Sequence, residues 1–181
     1  MIAYLRTLPE IRKDIPESKS DFPFNFILRT IPHPADFGMK PSESDTLAYG
    51  KYLVQMAGCV ECHTRFENNQ LVAGTEFGGG RMFDLPGGRL VTPNITPDNA
   101  TGIGLWTREA FVAKFKMFAD SNYHAPALDL RTDFNTIMPW TMYGKMTESD
   151  LSSIYKFLRS LEPKTHKIEK WIPKGQVASA S

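Results

Sequence analysis

Cys59-Val60-Glu61-Cys62-His63 holds more potential chemistry than any other stretch of this chain. Thiols with two residues between them lie one helical turn apart, so both sulfurs can reach the two vinyl groups of one porphyrin and form thioethers. A histidine directly after the second thiol is then held under the ring, where it can give one axial nitrogen to the iron. The chain has no other cysteine, which weakens the rival uses of the pair. A redox Cys-x-x-Cys belongs in a βαβ context that the flanks do not show. A zinc knuckle needs two further thiols or a paired histidine, and the other histidines, His33, His124 and His166, are scattered. A structural disulfide leaves His63 without a role. The reading is one covalent haem c, with Cys59 and Cys62 as attachment points and His63 as proximal iron ligand.

A distal ligand must come from elsewhere. Met138 is the choice, because Pro139 stiffens the backbone that presents its sulfur. A thioether favours reduced iron and raises the potential, as suits an electron carrier. Met142 and Met146 compete with it, and His124 would give a lower-potential centre. Met56, Met82 and Met117 read as packing residues. His33 and His166 read as solvated.

The elements that must position these residues are mostly helical. Ser42-Glu43-Ser44-Asp45 fits a capping box, and Tyr49, Leu53 and Met56 form one apolar face leading into Cys59. Residues 64 to 101 are rich in Gly and Pro and read as a long loop, with a small hairpin around Asp84-Leu85-Pro86-Gly87-Gly88. A structureless loop of that length usually covers a ligand. Thr107 caps a helix over 107–119 whose face is Phe111, Phe115 and Phe118, with Trp106 before it as a hydrophobic staple. Thr147-Glu148-Ser149-Asp150 opens the last helix, with Leu151, Ile154, Tyr155, Leu158 and Leu161 on its apolar side. The chain thus falls into three segments: an extended, Pro-rich segment at 1–41, the main domain at 42–163, and a polar, frayed tail at 164–181.

Hydrophobic content of 41%, charged content of 23% and a net charge of +1 describe an ordinary globular chain. They give no electrostatic reason for binding nucleic acid or a membrane surface. No apolar run approaches the roughly 20 residues of a membrane helix. The first residues do not form a secretory leader, although haem c is normally attached outside the cytoplasm. The expected location is therefore periplasmic or otherwise extracytoplasmic, with any membrane association through a partner. One internal echo links Ile2-Ala3-Tyr4-Leu5-Arg6-Thr7-Leu8-Pro9 to Ile154–Pro163. It suggests that residues 1–41 include the remnant of a preceding haem domain.

With Thr64 added to the Cys59–His63 run, further strings carry a family resemblance. They are Thr92-Pro93-Asn94-Ile95-Thr96-Pro97-Asp98, Thr101-Gly102-Ile103-Gly104, Trp106-Thr107, Met138-Pro139 and Asp150-Leu151 through Leu161. Together they resemble class I cytochrome c, and more narrowly the haem-c domains of bacterial dehydrogenase cytochrome subunits and related multihaem cytochromes. The resemblance implies an all-α cytochrome c fold, with about three to five helices around one haem and long Gly/Pro-rich loops. It implies that the first and last helices cross near Gly50 and Tyr155, and that Trp106, Asn94 or Arg81 meets the propionates. It also implies an electron carrier, not an enzyme, which exchanges electrons with redox partner proteins such as a dehydrogenase, an oxidase or another cytochrome. Two other roles remain open. One is the electron-accepting cytochrome subunit of a membrane-associated dehydrogenase complex; the other is a haem gas sensor, which needs a labile sixth ligand.

Overall fold

The computed structural model describes residues 2–34 and 38–179. The chain divides into two compact units, Met1–Met39 and Lys40–Ser181. In the first, α1 (Ile2–Leu5) and α2 (Phe24–Ile27) are single helical turns joined by a run without regular structure. Pro9 and Pro16 in that run remove backbone donors and fix φ, which suits it to neither helix nor sheet. The side chains of Phe22, Phe24, Phe26 and Ile31 are exposed.

The second unit is built on a helix pair, α3 (Thr46–Met56) and α7 (Glu148–Arg159). The Asp45 carboxylate caps α3 by accepting from the Ala48 N–H at 3.1 Å, while Ser42 is spent on the Ser44 hydroxyl. The expected box at Ser42–Asp45 therefore gives way to a cap at its last residue. The box on α7 forms as expected, with Thr147 and Asp150 exchanging side-chain and backbone bonds at 3.1 Å each way. Acids in its first turn and Lys156 and Arg159 in its last also complement the helix dipole. At the crossing, α3 buries Tyr49, Gly50 and Val54, while Met56 turns outward at 69% exposed. A Cβ on Gly50 would collide with the Ser153 backbone and lie 3.1 Å from Phe157 Cβ. The close approach is thus to Ser153 and Phe157 rather than Tyr155. The Tyr49 hydroxyl ties the pair by donating to Asp150 Oδ1 at 3.0 Å.

Helix α5 (Arg108–Lys116) is capped by Thr107, which accepts from the Ala110 N–H at 3.1 Å. It lays Phe111 on the cluster of Val54, Ile103, Ile154 and Leu158. Phe115 borders that cluster, whereas Phe118 stacks on Trp140 at 5.0 Å. Two single turns complete the helices: α4 (Cys59–Cys62) and α6 (Trp140–Tyr143).

The all-α expectation is wrong. Besides seven helices, the described residues contain two antiparallel sheets with five strands. Strands β1 (Phe66–Glu67) and β2 (Gln70–Leu71) meet at Asn68-Asn69, both at positive φ, the left-handed pair that a tight hairpin needs. Strands β3 (Met82–Leu85) and β4 (Gly88–Val91) form the hairpin expected around Pro86-Gly87. The third strand of that sheet, β5 (Trp171–Pro173), comes from the tail that composition marked as frayed. Strands of two to four residues are too short to display alternation, so the Gly/Pro-rich region reads as loop in the sequence.

Candidate functional site

Gly58, at φ 63, ends α3 in the left-handed region and turns the chain into α4. The His63 N–H donates to Cys59 O at 2.9 Å and closes the turn, so Cys59 and Cys62 stand one turn apart at the head of His63. Both cysteines are free thiols and half-buried. Burial, reinforced by Cys62 and Glu61, pushes the Cys59 thiol up to about 12.

His63 is 8% exposed. Its Nδ1 lies 2.8 Å from Pro93 O, and since a carbonyl can only accept, Nδ1 carries the proton and Nε2 keeps its lone pair. Burial lowers the imidazole pKa and the Pro93 bond partly offsets this, so the ring is held neutral. A neutral imidazole with Nδ1 tied to a carbonyl is the form in which histidine binds metal. The backbone is held too, because the Gly79 N–H donates to His63 O at 2.7 Å. Next to it Thr64 is fully buried, and its hydroxyl accepts from the Phe77 N–H at 3.3 Å.

Met138 is half-buried in the loop before α6. Its N–H donates to Thr136 Oγ1 at 3.2 Å and its carbonyl accepts from the Trp140 N–H at 2.8 Å. Two side chains of α6 anchor this loop. Trp140 packs on Phe115 and Phe118, and the Tyr143 hydroxyl donates to Ala57 O at 2.6 Å, just ahead of Cys59. Burial raises the Tyr143 pKa, and Cys59 and Cys62 raise it further. The methionine-bearing segment and the cysteine turn are thereby joined through Tyr143. Sequence reasoning passed over this tyrosine because nothing local marks it.

The rival ligands fall in different surroundings. Met142 is 71% exposed, Met146 packs against the core cluster, and His124 and His33 are exposed in irregular segments. Met82 and Met117 are exposed. His166 is not simply solvated: its Nδ1 meets Gly78 O at 3.1 Å. Of the residues expected at the propionates, Arg81 bonds Glu61 O at 2.5 Å and lies over the Phe66 and Phe83 rings. Asn94 spends its carboxamide inside the protein, on Thr96, Thr101 and Lys164. Trp106 is 39% exposed, and its carbonyl accepts from the Tyr155 hydroxyl at 2.7 Å.

No family model matches the chain. Among curated proteins it is 31% identical over 131 residues to the fructose dehydrogenase cytochrome subunit of Gluconobacter japonicus, a match covering 71% of this chain and 23% of that protein. It is 29% identical over 126 residues to the cytochrome c subunit of the quinone alcohol dehydrogenase of Gluconacetobacter polyoxogenes, covering 67% and 23%. A dihaem c-type cytochrome of Cereibacter sphaeroides is 29% identical over 114 residues, covering 63% and 36%. The matched stretch thus spans about a quarter of the length of the first two relatives. The shared sequence makes this chain a homologue of the cytochrome c subunits of bacterial dehydrogenases.

Proposed function

We propose that this chain is an electron-transfer domain with one covalent haem c, attached through Cys59 and Cys62 and ligated by His63 and Met138. One observation carries the reading: two free thiols share a single helical turn with a buried imidazole next to them, whose Nδ1 is already taken by Pro93. The residues fit the group. Both sulfurs are available for thioether bonds, and the neutral ring offers Nε2 without first losing a proton.

When bound, haem supplies a reversible one-electron couple. The protein's part is to bind and orient. Pro93 fixes the rotation of the His63 ring and raises its basicity through Nδ1. Met138, on a loop held by Trp140 and Tyr143, brings a soft ligand that favours the reduced state. With His63 and Met138 both holding the group, no open position would be left for oxygen, peroxide or a diatomic gas.

The chain itself is a carrier, and substrate oxidation belongs to a partner. The relatives are named as cytochrome subunits of dehydrogenases, which supports a dehydrogenase as electron donor and an oxidase or another cytochrome as acceptor. A net charge of +1 favours docking through a local patch over long-range steering. No described helix is long and apolar enough to cross a membrane. An extracytoplasmic location follows from covalent haem attachment, with membrane association through a partner.

A pyridine haemochrome spectrum and the intact mass of the matured protein test the reading together. We expect one haem c per chain, and a colourless protein with the mass of the bare polypeptide would overturn it. Relatives that are dehydrogenase subunits favour a dedicated subunit over a free carrier. Copurification of an oxidising subunit, with substrate-dependent reduction of this haem, would separate the two.

A further inference from the structure

Pro93, whose carbonyl accepts the hydrogen bond from His63 Nδ1, lies in a loop with no regular structure. Its peptide is nonetheless pinned from both sides. On one side is Asn94, 4% exposed. Its Nδ2 donates to Lys164 O at 2.6 Å and to Thr101 Oγ1 at 3.0 Å. Its Oδ1 accepts from Thr96 N and Thr96 Oγ1 at 2.9 and 2.7 Å. The Lys164 N–H returns a bond to Thr96 Oγ1 at 3.1 Å. On the other side Gly79, at φ 74, presses so close that a Cβ there would lie 2.5 Å from both Pro93 C and Thr92 O.

The same tail segment ties that second side. Lys164 Nζ donates to Glu76 O and to Glu76 Oε2, both at 3.0 Å, and His166 Nδ1 meets Gly78 O at 3.1 Å. The His166 N–H reaches Thr101 Oγ1 and the Thr165 hydroxyl reaches Asp98 Oδ2, each at 2.9 Å. Further on, the Val91 N–H donates to Lys170 O at 3.0 Å and β5 pairs with β4. One stretch of tail therefore clamps the loop that holds the His63 ring to the loop that holds its backbone.

We propose that residues 164–173 are a strap that sets the His63 imidazole, with Lys164 and Asn94 as positioning residues acting through Pro93. The proposal rests on the reading of His63 as a haem ligand. The physical link is the Nδ1–H···O bond: a well-aligned carbonyl makes the imidazole a stronger donor and favours oxidised iron. A free loop carbonyl would swing and weaken that bond. The strap thus keeps the potential lower than a loose loop would.

The test uses the full haem-loaded chain, with exchange of the His63 Nδ1 proton followed by NMR and the reduction potential measured on the same samples. Asn94→Asp keeps the acceptor for Thr96 but cannot donate to Lys164, and Lys164→Met removes the Glu76 anchor while leaving the backbone bonds. Each should speed Nδ1 exchange about tenfold, the effect of losing one hydrogen bond's worth of restraint, and move the potential upward. Thr101→Val, which deletes the hydroxyl that Asn94 and His166 share, replaces Asn94→Asp if that variant does not fold. Thr147→Ala, which removes an exposed helix cap outside the strap, should leave the potential where it is. Unchanged exchange and potential in the strap variants, or an equal shift in Thr147→Ala, would overturn the strap. A wild-type protein without haem would instead overturn the reading beneath it.

Discussion

Burial acts on His63 and Tyr143 in opposite directions. It pushes the imidazole down, toward the neutral form that can bind metal, and pushes the phenol up, so that it stays a hydrogen-bond donor to Ala57. Among the described residues Met138 has no such partner for its sulfur, and its proposed role rests on where its loop is anchored. Met138→Ala should abolish the weak far-red band of methionine-ligated ferric haem, lower the potential and let carbon monoxide bind the reduced form. Survival of the band would transfer the role to Met142 or Met146. Of these Met142 is the freer to move, being 71% exposed while Met146 is held in the core.

Among the elements, the crossing of α3 and α7 has the least tolerance. Gly50 has no room for a side chain over Ser153, and a backbone cannot move aside as a flexible side chain can. Gly50→Ala should therefore cost about 1–3 kcal/mol or more by chemical denaturation, the range for overpacking, despite alanine's better helix propensity. A stabilised Gly50→Ala protein would mean that the helices cross elsewhere. The Thr147 box on α7 is local, and Thr147→Ala should cost about 1 kcal/mol in the same measurement. Both caps that were legible, Thr107 and Thr147, carry their signal in four consecutive residues. The cap on α3 falls at Asp45, past the start expected near Ser42 or Ser44, because all three are plausible caps and only geometry chooses among them.

For the molecule as a whole, acid stability should report on the tail. The Lys164 ammonium, helped by the backbone N–H groups of Glu76 and Gly74, holds the Glu76 carboxyl down at about 2 from an ordinary 4.5. Folding favours the ionised form, so this contribution is complete above about pH 4.5 and is lost as pH falls toward 2. Asp98, held low first by the Thr101 hydroxyl, acts in the same sense. So does Asp150, where bonds from Thr147 and Tyr49 outweigh the upward push of burial. The Glu76 share is modest because its side chain is 44% exposed to water. Glu76→Gln should flatten stability against pH across that window, and an unchanged slope would show that the pair contributes nothing.

The sequence alone determined what depends on neighbours along the chain. The Cys59–His63 spacing, the helices opened by Thr107 and Thr147, the Pro86-Gly87 hairpin and the kinship with dehydrogenase cytochrome subunits all have short-range or contiguous signals. Only the folded chain decided that the tail would become a strand, that Tyr143 would reach Ala57 and that Lys164 would clamp Asn94. Those partners lie 86 and 70 residues apart in the last two cases. A pairing across such distances depends on loops closed by the whole fold, and neither end carries a local pattern that names the other.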